Sequence, residues 1–177
     1  MKKKIIKMAI TSLIIVLSFV LQSYISKELP QMVVTPNLLL IVASFYGFMR
    51  GCNTGSIVGL LCGLLVDIFF GDVIGLYALI YMYIGFISGL LKKMFYSDHV
   101  FAPMLLVFLT DFIYNLACFV FRFLLRNKVA FSQYFEEIIF PEMIFTTFLA
   151  LILYRLFYLL NEQVYIEEQE RSLSFDK

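Results

Sequence analysis

Charge is what this 177-residue chain has least of: 15% of its residues are charged, and 14 Lys and Arg nearly cancel 13 Asp and Glu. The hydrophobic share is 62%, where an ordinary soluble domain has roughly 45–50%. So little polar surface cannot cover a water-soluble globule, and a soluble fold is excluded. Intrinsic disorder needs low hydrophobicity and high net charge, and is excluded by the same figures. A net charge of +1 offers no basic surface, so no nucleic-acid partner is expected. Cysteine is scarce and odd in number: Cys52, Cys62 and Cys118 lie in or beside apolar runs, which rules against a disulfide framework. A single histidine, His99, cannot build a His-based metal centre, and the chain has no HExxH helix, GxSxG elbow or P-loop. No catalytic constellation, cofactor or metal site is therefore expected. Tryptophan is absent, yet twenty Phe and eleven Tyr bring the aromatics to 18%, an inventory suited to lipid contact and interfacial anchoring.

What the chain does have is long apolar runs. A bilayer core of about 30 Å needs about 20 apolar residues of helix. Six charge-poor runs, at about 8–25, 32–49, 55–70, 73–91, 100–125 and 138–160, predict an all-α polytopic membrane protein, a six-transmembrane-helix bundle in a single domain. A basic amino-terminal arm (1–7) precedes the first run, which is too long for a cleaved signal peptide and is expected to be retained. The second run carries Pro36 near its start, predicting a helix from about Thr35, and the turn from Arg50 through Asn53 is short enough to make the third run an antiparallel neighbour. These two runs are short, and either cross with little tilt or form a re-entrant pair sheltered by the others. The acidic tail (161–177) is expected to fray into solvent.

With a cytoplasmic amino terminus and six spans, Lys2, Lys3, Lys4, Lys7, Arg50, Lys92, Lys93, Arg155, Arg171 and Lys177 fall inside. Only Lys27, Arg122, Arg126 and Lys128 fall outside. This asymmetry follows the positive-inside rule and predicts that both termini are cytoplasmic.

Small residues recur every four positions at Gly51, Gly55, Gly59, Gly63, Asp67, Gly71 and Gly75. Gly55, Gly59 and Gly63 form two overlapping GxxxG patterns, a ribbon along which another backbone approaches closely. Packing within the bundle is the plain reading of that ribbon, and docking of a partner's helix the sharper one. Gly89 lies off the ribbon and is expected to tolerate bulk better than Gly59 or Gly63. Asp67 and Asp111 sit inside predicted spans, where an aspartate must face protein or water. Asn115, four residues after Asp111, shares its helix face and either binds a neighbouring helix or satisfies itself. Two intramembrane aspartates also suit an aspartyl protease, but Phe70-Gly71-Asp72 supplies only the end of the GxGD context that such enzymes use, and that reading is set aside.

Pro36, Asn37, Leu38, Arg50 and Gly51, together with the segment GLLCGLLVDIFFGDVIGLYAL and Gly85 and Gly89 beyond it, resemble the rod shape-determining protein family MreD over residues 36–90. Asn37 stands where that family often carries aspartate. The resemblance implies a non-enzymatic component of the bacterial cytoplasmic membrane. It would act with MreC, the actin-like MreB filament, the glycan polymerase RodA and a class B penicillin-binding transpeptidase to direct lateral wall synthesis. The family is also similar in architecture to the substrate-binding subunits of energy-coupling-factor transporters. That supplies the alternative, a membrane subunit that binds a small molecule such as a vitamin.

Overall fold

The computed structural model describes residues 2–28, 35–71, 73–91, 101–126 and 131–175. Residues 32–34 of the second run, the stretch from Lys92 to Val100 with Asp98 and His99, and Asn127 and Lys128 lie outside the described residues. Those described are helical almost throughout, with no strand among them: α1 (Lys2–Glu28), α2 (Leu38–Arg50), α3 (Cys52–Phe70), α4 (Leu76–Leu91) and α5 (Phe101–Arg126). A short α6 (Phe131–Tyr134) runs through a π-helical turn, Phe135–Ile139, into α7 (Phe140–Phe175).

Among the described residues, four stretches are long and apolar enough to cross a membrane: Met8–Lys27, Cys52–Phe70, Pro103–Phe121 and Phe135–Phe157. At about 1.5 Å per residue, α2 and α4 reach only about 20 and 24 Å, short of a hydrocarbon core of about 30 Å. The short pair is thus α2 and α4, not the second and third runs. The third helix gains length at its start because the connection is one residue long. Gly51, at φ 95°, donates its N–H to the Gly47 carbonyl at 2.8 Å while its own carbonyl accepts from Gly55 at 3.0 Å. That backbone conformation suits glycine, and it turns the chain at once from α2 into α3.

Other boundaries also differ from the sequence reading. Pro36 precedes α2 instead of lying in its first turn. Asn37 is the N-cap, its side-chain oxygen accepting from Leu40 N at 3.1 Å. The basic arm from Lys2 forms the first turns of α1, and the acidic tail continues α7 as helix to Phe175, a stretch rich in good helix formers such as Glu, Gln and Arg. Between the fifth and sixth runs, residues 131–137 are not loop but α6 and the start of the π turn.

The packing order follows from which faces are apolar. Every residue of α2 from Leu38 to Gly47 is buried, so this short helix is the centre of the bundle. Its amino-terminal N–H groups, which water cannot serve inside a bilayer, are all engaged. Leu38 N donates to Pro36 O, Leu39 N to Gln22 Oε1 of α1 at 3.1 Å, Leu40 N to Asn37 Oδ1 and Ile41 N to Asn37 O. The tightest unit is α2, α3 and α4; α5 and α7 pair with each other and lean on α2. Phe45 meets Tyr154 and Phe157 of α7 edge-on at 5.8 and 5.4 Å. The most peripheral helix is α1, with only 6% of its apolar window buried, held by Phe19 against Phe69 at 5.0 Å and by the Gln22 contact.

Candidate functional site

Three features of the bundle absorb the residues that the sequence singles out. The first is a glycine seam. A methyl group at Gly59 would meet the Tyr81 carbonyl of α4, one at Gly63 the Ala78 Cα, and one at Gly55 both the Gly85 carbonyl and the Gly47 Cα. The ribbon Gly55, Gly59 and Gly63 therefore faces α4 of the same chain, backbone against backbone. A partner helix would have to displace α4 to reach it. Gly85 and Gly89 answer from the other side, against Gly55 and the Cys52 backbone. The expectation that Gly89 tolerates bulk is corrected by this contact: α4 carries its own glycine stripe, which the four-residue ribbon in α3 did not include.

The second feature is the turn between α3 and α4. Asp67, 1% exposed, accepts backbone hydrogen bonds from Gly75 N and Ala78 N on Oδ2, at 3.0 and 2.9 Å, and from Tyr77 N on Oδ1 at 2.9 Å. Gly75, at φ 100°, opens α4 and has no side chain with which to cap it. The carboxylate from eight residues earlier does so instead, at the end of the helix where the backbone dipole favours a negative charge. Gly71 closes α3 by donating to the Asp67 carbonyl at 3.1 Å. Gly71, Gly75 and Asp67 are thus parts of one closed turn.

The third feature is a polar centre buried among α2, α4, α5 and α7. The Tyr81 hydroxyl donates to Asn37 Oδ1 at 2.7 Å, and the Asn37 N–H donates to Thr146 Oγ1 at 3.1 Å. Ser44 and Thr110 share a hydroxyl–hydroxyl bond of 3.1 Å. The Tyr114 ring stands edge-on to Tyr81 at 5.4 Å, and Glu142, one turn before Thr146, lies within electrostatic reach of both tyrosines. Asp111 is fully buried beside Thr146. Asn115 donates to the backbone carbonyl of Asp111 at 3.1 Å, so its amide serves its own helix.

The structure joins Pro36–Asn37 to Asp111 and Asn115 through α7, and keeps them apart from the Asp67 turn. Tyr81, Thr110, Thr146 and Ser44 were not singled out from the sequence; isolated hydroxyls inside apolar runs were the available signal. Among the described residues no group of three His, Cys, Asp or Glu side chains is placed to hold a metal ion.

No curated protein and no solved structure matches the chain. A family model does, that of the rod shape-determining protein MreD, over residues 2–164. The match extends well beyond the glycine seam and the Asp67 turn, and includes every helix that contributes to the polar centre. This multi-pass membrane protein belongs to the MreD family of rod shape-determining proteins.

Proposed function

We propose that the protein is a non-enzymatic adaptor of the cell-elongation complex, which regulates lateral peptidoglycan synthesis through its membrane helices. Its partners are MreC, MreB, RodA and a class B penicillin-binding transpeptidase. The observation that carries this reading beyond family membership is where the apolar surface lies. The glycine seam and polar centre are used inside the chain, whereas α1 exposes Leu13, Val16, Leu17, Val20 and Leu21. A helix so little held by its own bundle suits docking to other transmembrane helices, by which an adaptor stabilises one arrangement of a complex over another. Ile15, by contrast, faces inward and is buried.

Depleting the protein while imaging fluorescent D-amino-acid incorporation tests the reading. Cells are expected to widen and round as lateral incorporation disperses, and the tagged protein is expected to copurify wall-synthesis proteins. Unchanged width and labelling, with growth restored by an added vitamin and copurification of a pair of ATPases, would replace the adaptor with a substrate-binding transporter subunit.

We also propose that the chain crosses the membrane six times, with α2 and α4 spanning by virtue of burial in the bundle, and that both termini are cytoplasmic. Single cysteines at positions 27 and 128 in a cysteine-free background are expected to react with an impermeant reagent from outside. Reaction only from the cytoplasmic side would overturn the topology.

A further inference from the structure

A groove on the flank of α1 takes no part in the glycine seam, the Asp67 turn or the polar centre. It is a cleft of about 230 Å³ between α1 and α3, open along one side and lined by Ser12, Ile15 and Val16 of α1 and Leu61, Leu65 and Ile68 of α3. Ile15 lies deepest in it, at 3% exposure. One turn past Ile15, away from the amino terminus, Phe19 meets Phe69 and Phe70 of α3 at 5.0 and 5.9 Å, so the two helices are in contact beyond the cleft. The volume falls below the roughly 300–1,000 Å³ of pockets that enclose a drug-sized molecule. An α-helix, about 10–12 Å across, cannot enter it. A hydrocarbon chain is slender enough, matches the apolar lining and is what the surrounding bilayer supplies.

The start of α1 sets the headgroup chemistry. Lys2, Lys3, Lys4 and Lys7 precede the cleft on the same helix, and no Asp or Glu occurs before Glu28. In helical register Lys4 stands three turns before Ile15, on the same side of α1. Along the helix, Ser12 lies about 12 Å from Lys4 and Val16 about 18 Å, which brackets the depth of about 15 Å that the acyl chains of one leaflet fill. We propose that the cleft holds an acyl chain of an anionic phospholipid from the leaflet next to the amino terminus, with the lysines of the first turns neutralising its phosphate. The row Leu13, Leu17 and Leu21 lies on another side of α1, so the lipid leaves the docking face described above open. Occupancy would fasten to α3 the helix that the bundle itself holds least.

The test is native mass spectrometry of the purified full chain in detergent with equal amounts of dioleoyl phosphatidylglycerol and dioleoyl phosphatidylcholine. The wild type is expected to retain one phosphatidylglycerol per chain, with a preference over phosphatidylcholine of at least about fivefold, the contribution of a single lysine near an anionic surface. Replacing Lys3, Lys4 and Lys7 together by Gln is expected to bring the preference to about one. Ser12→Phe, at an exposed position on the wall of the cleft, keeps every lysine and is expected to lose the retained lipid. Equal retention of the two lipids by the wild type, or an undiminished preference in the lysine variant, would overturn the headgroup assignment. Full phosphatidylglycerol binding by Ser12→Phe would show that the arm attracts lipid without the cleft, and would overturn the site.

Discussion

Gly59→Leu is expected to abolish shape maintenance, and Gly63→Leu and Gly89→Leu to do the same. At each of these positions the first added atom meets backbone of a neighbouring helix: the Tyr81 carbonyl, the Ala78 Cα and the Cys52 nitrogen. A side chain in the way can rotate aside, but a helix backbone can yield only by moving the helix. Forcing bulk into a packed interior costs about 1–3 kcal/mol for added methylenes, and more where backbone must shift. Even Gly59→Ala is therefore expected to cost about 1–3 kcal/mol, with leucine beyond that range. Lipid gives helices no hydrophobic reason to reassemble once close packing is lost, so separation of α3 from α4 has no compensating term. The measurement is complementation of a depletion strain, with cell width and membrane level read together, alongside unfolding of the purified variants. Wild-type width and stability for Gly59→Leu would refute the close approach; tolerance of Gly89→Leu alone would refute the α4 half of the seam.

Asp67→Ala is expected to destabilise the fold by about 1–3 kcal/mol, because it strips the acceptor from three backbone N–H groups at the start of α4. Asp67→Asn is expected to lie between wild type and alanine. Its one carbonyl oxygen can serve Gly75 and Ala78, but the amide nitrogen then opposes Tyr77 N, donor against donor. Asp111→Asn, in contrast, lies within α5, removes no helix cap and keeps a side chain of the same shape, and is expected to cost less than either change at Asp67. The order of falling severity, Asp67→Ala, then Asp67→Asn, then Asp111→Asn, is read by thermal unfolding of the purified variants. Equal stability of Asp67→Ala and wild type would show that α4 needs no cap at this turn.

The polar centre was only partly legible, and its residues show why. Asn37 beside Pro36 reads as a helix start, and it caps α2 as such a residue should. Its bonds to Tyr81 and Thr146 span 44 and 109 positions, and no local pattern reports partners at such separations. Asp67 shows the same limit at shorter range. Its place one step beyond Gly63 suggested an extension of the ribbon, whereas the turn at Gly75 folds α4 back so that its N–H groups meet the carboxylate. Gln22 is a further instance: a polar residue within the first apolar run is unexplained until α2 brings Leu39 N to it.

Composition by itself determined that this chain belongs in a membrane, and its long unbroken apolar runs determined that it folds as helices, because a barrel, the other backbone solution in lipid, needs short alternating segments. The four-residue glycine spacing likewise determined that α3 would be approached closely by another backbone, since only missing side chains permit it. Which backbone approaches was decided by tertiary structure: Gly51 and the Asp67 turn reverse the chain twice, so the partner is α4 with α2 beside it. The same folding decided the fates of two chemically identical aspartates. One reached a helix amino terminus and was satisfied by backbone there; the other was carried into the interior between α5 and α7, beside the Thr146 hydroxyl. A residue's type sets what it must find in a low-dielectric interior, and only the path of the chain decides whether it finds it.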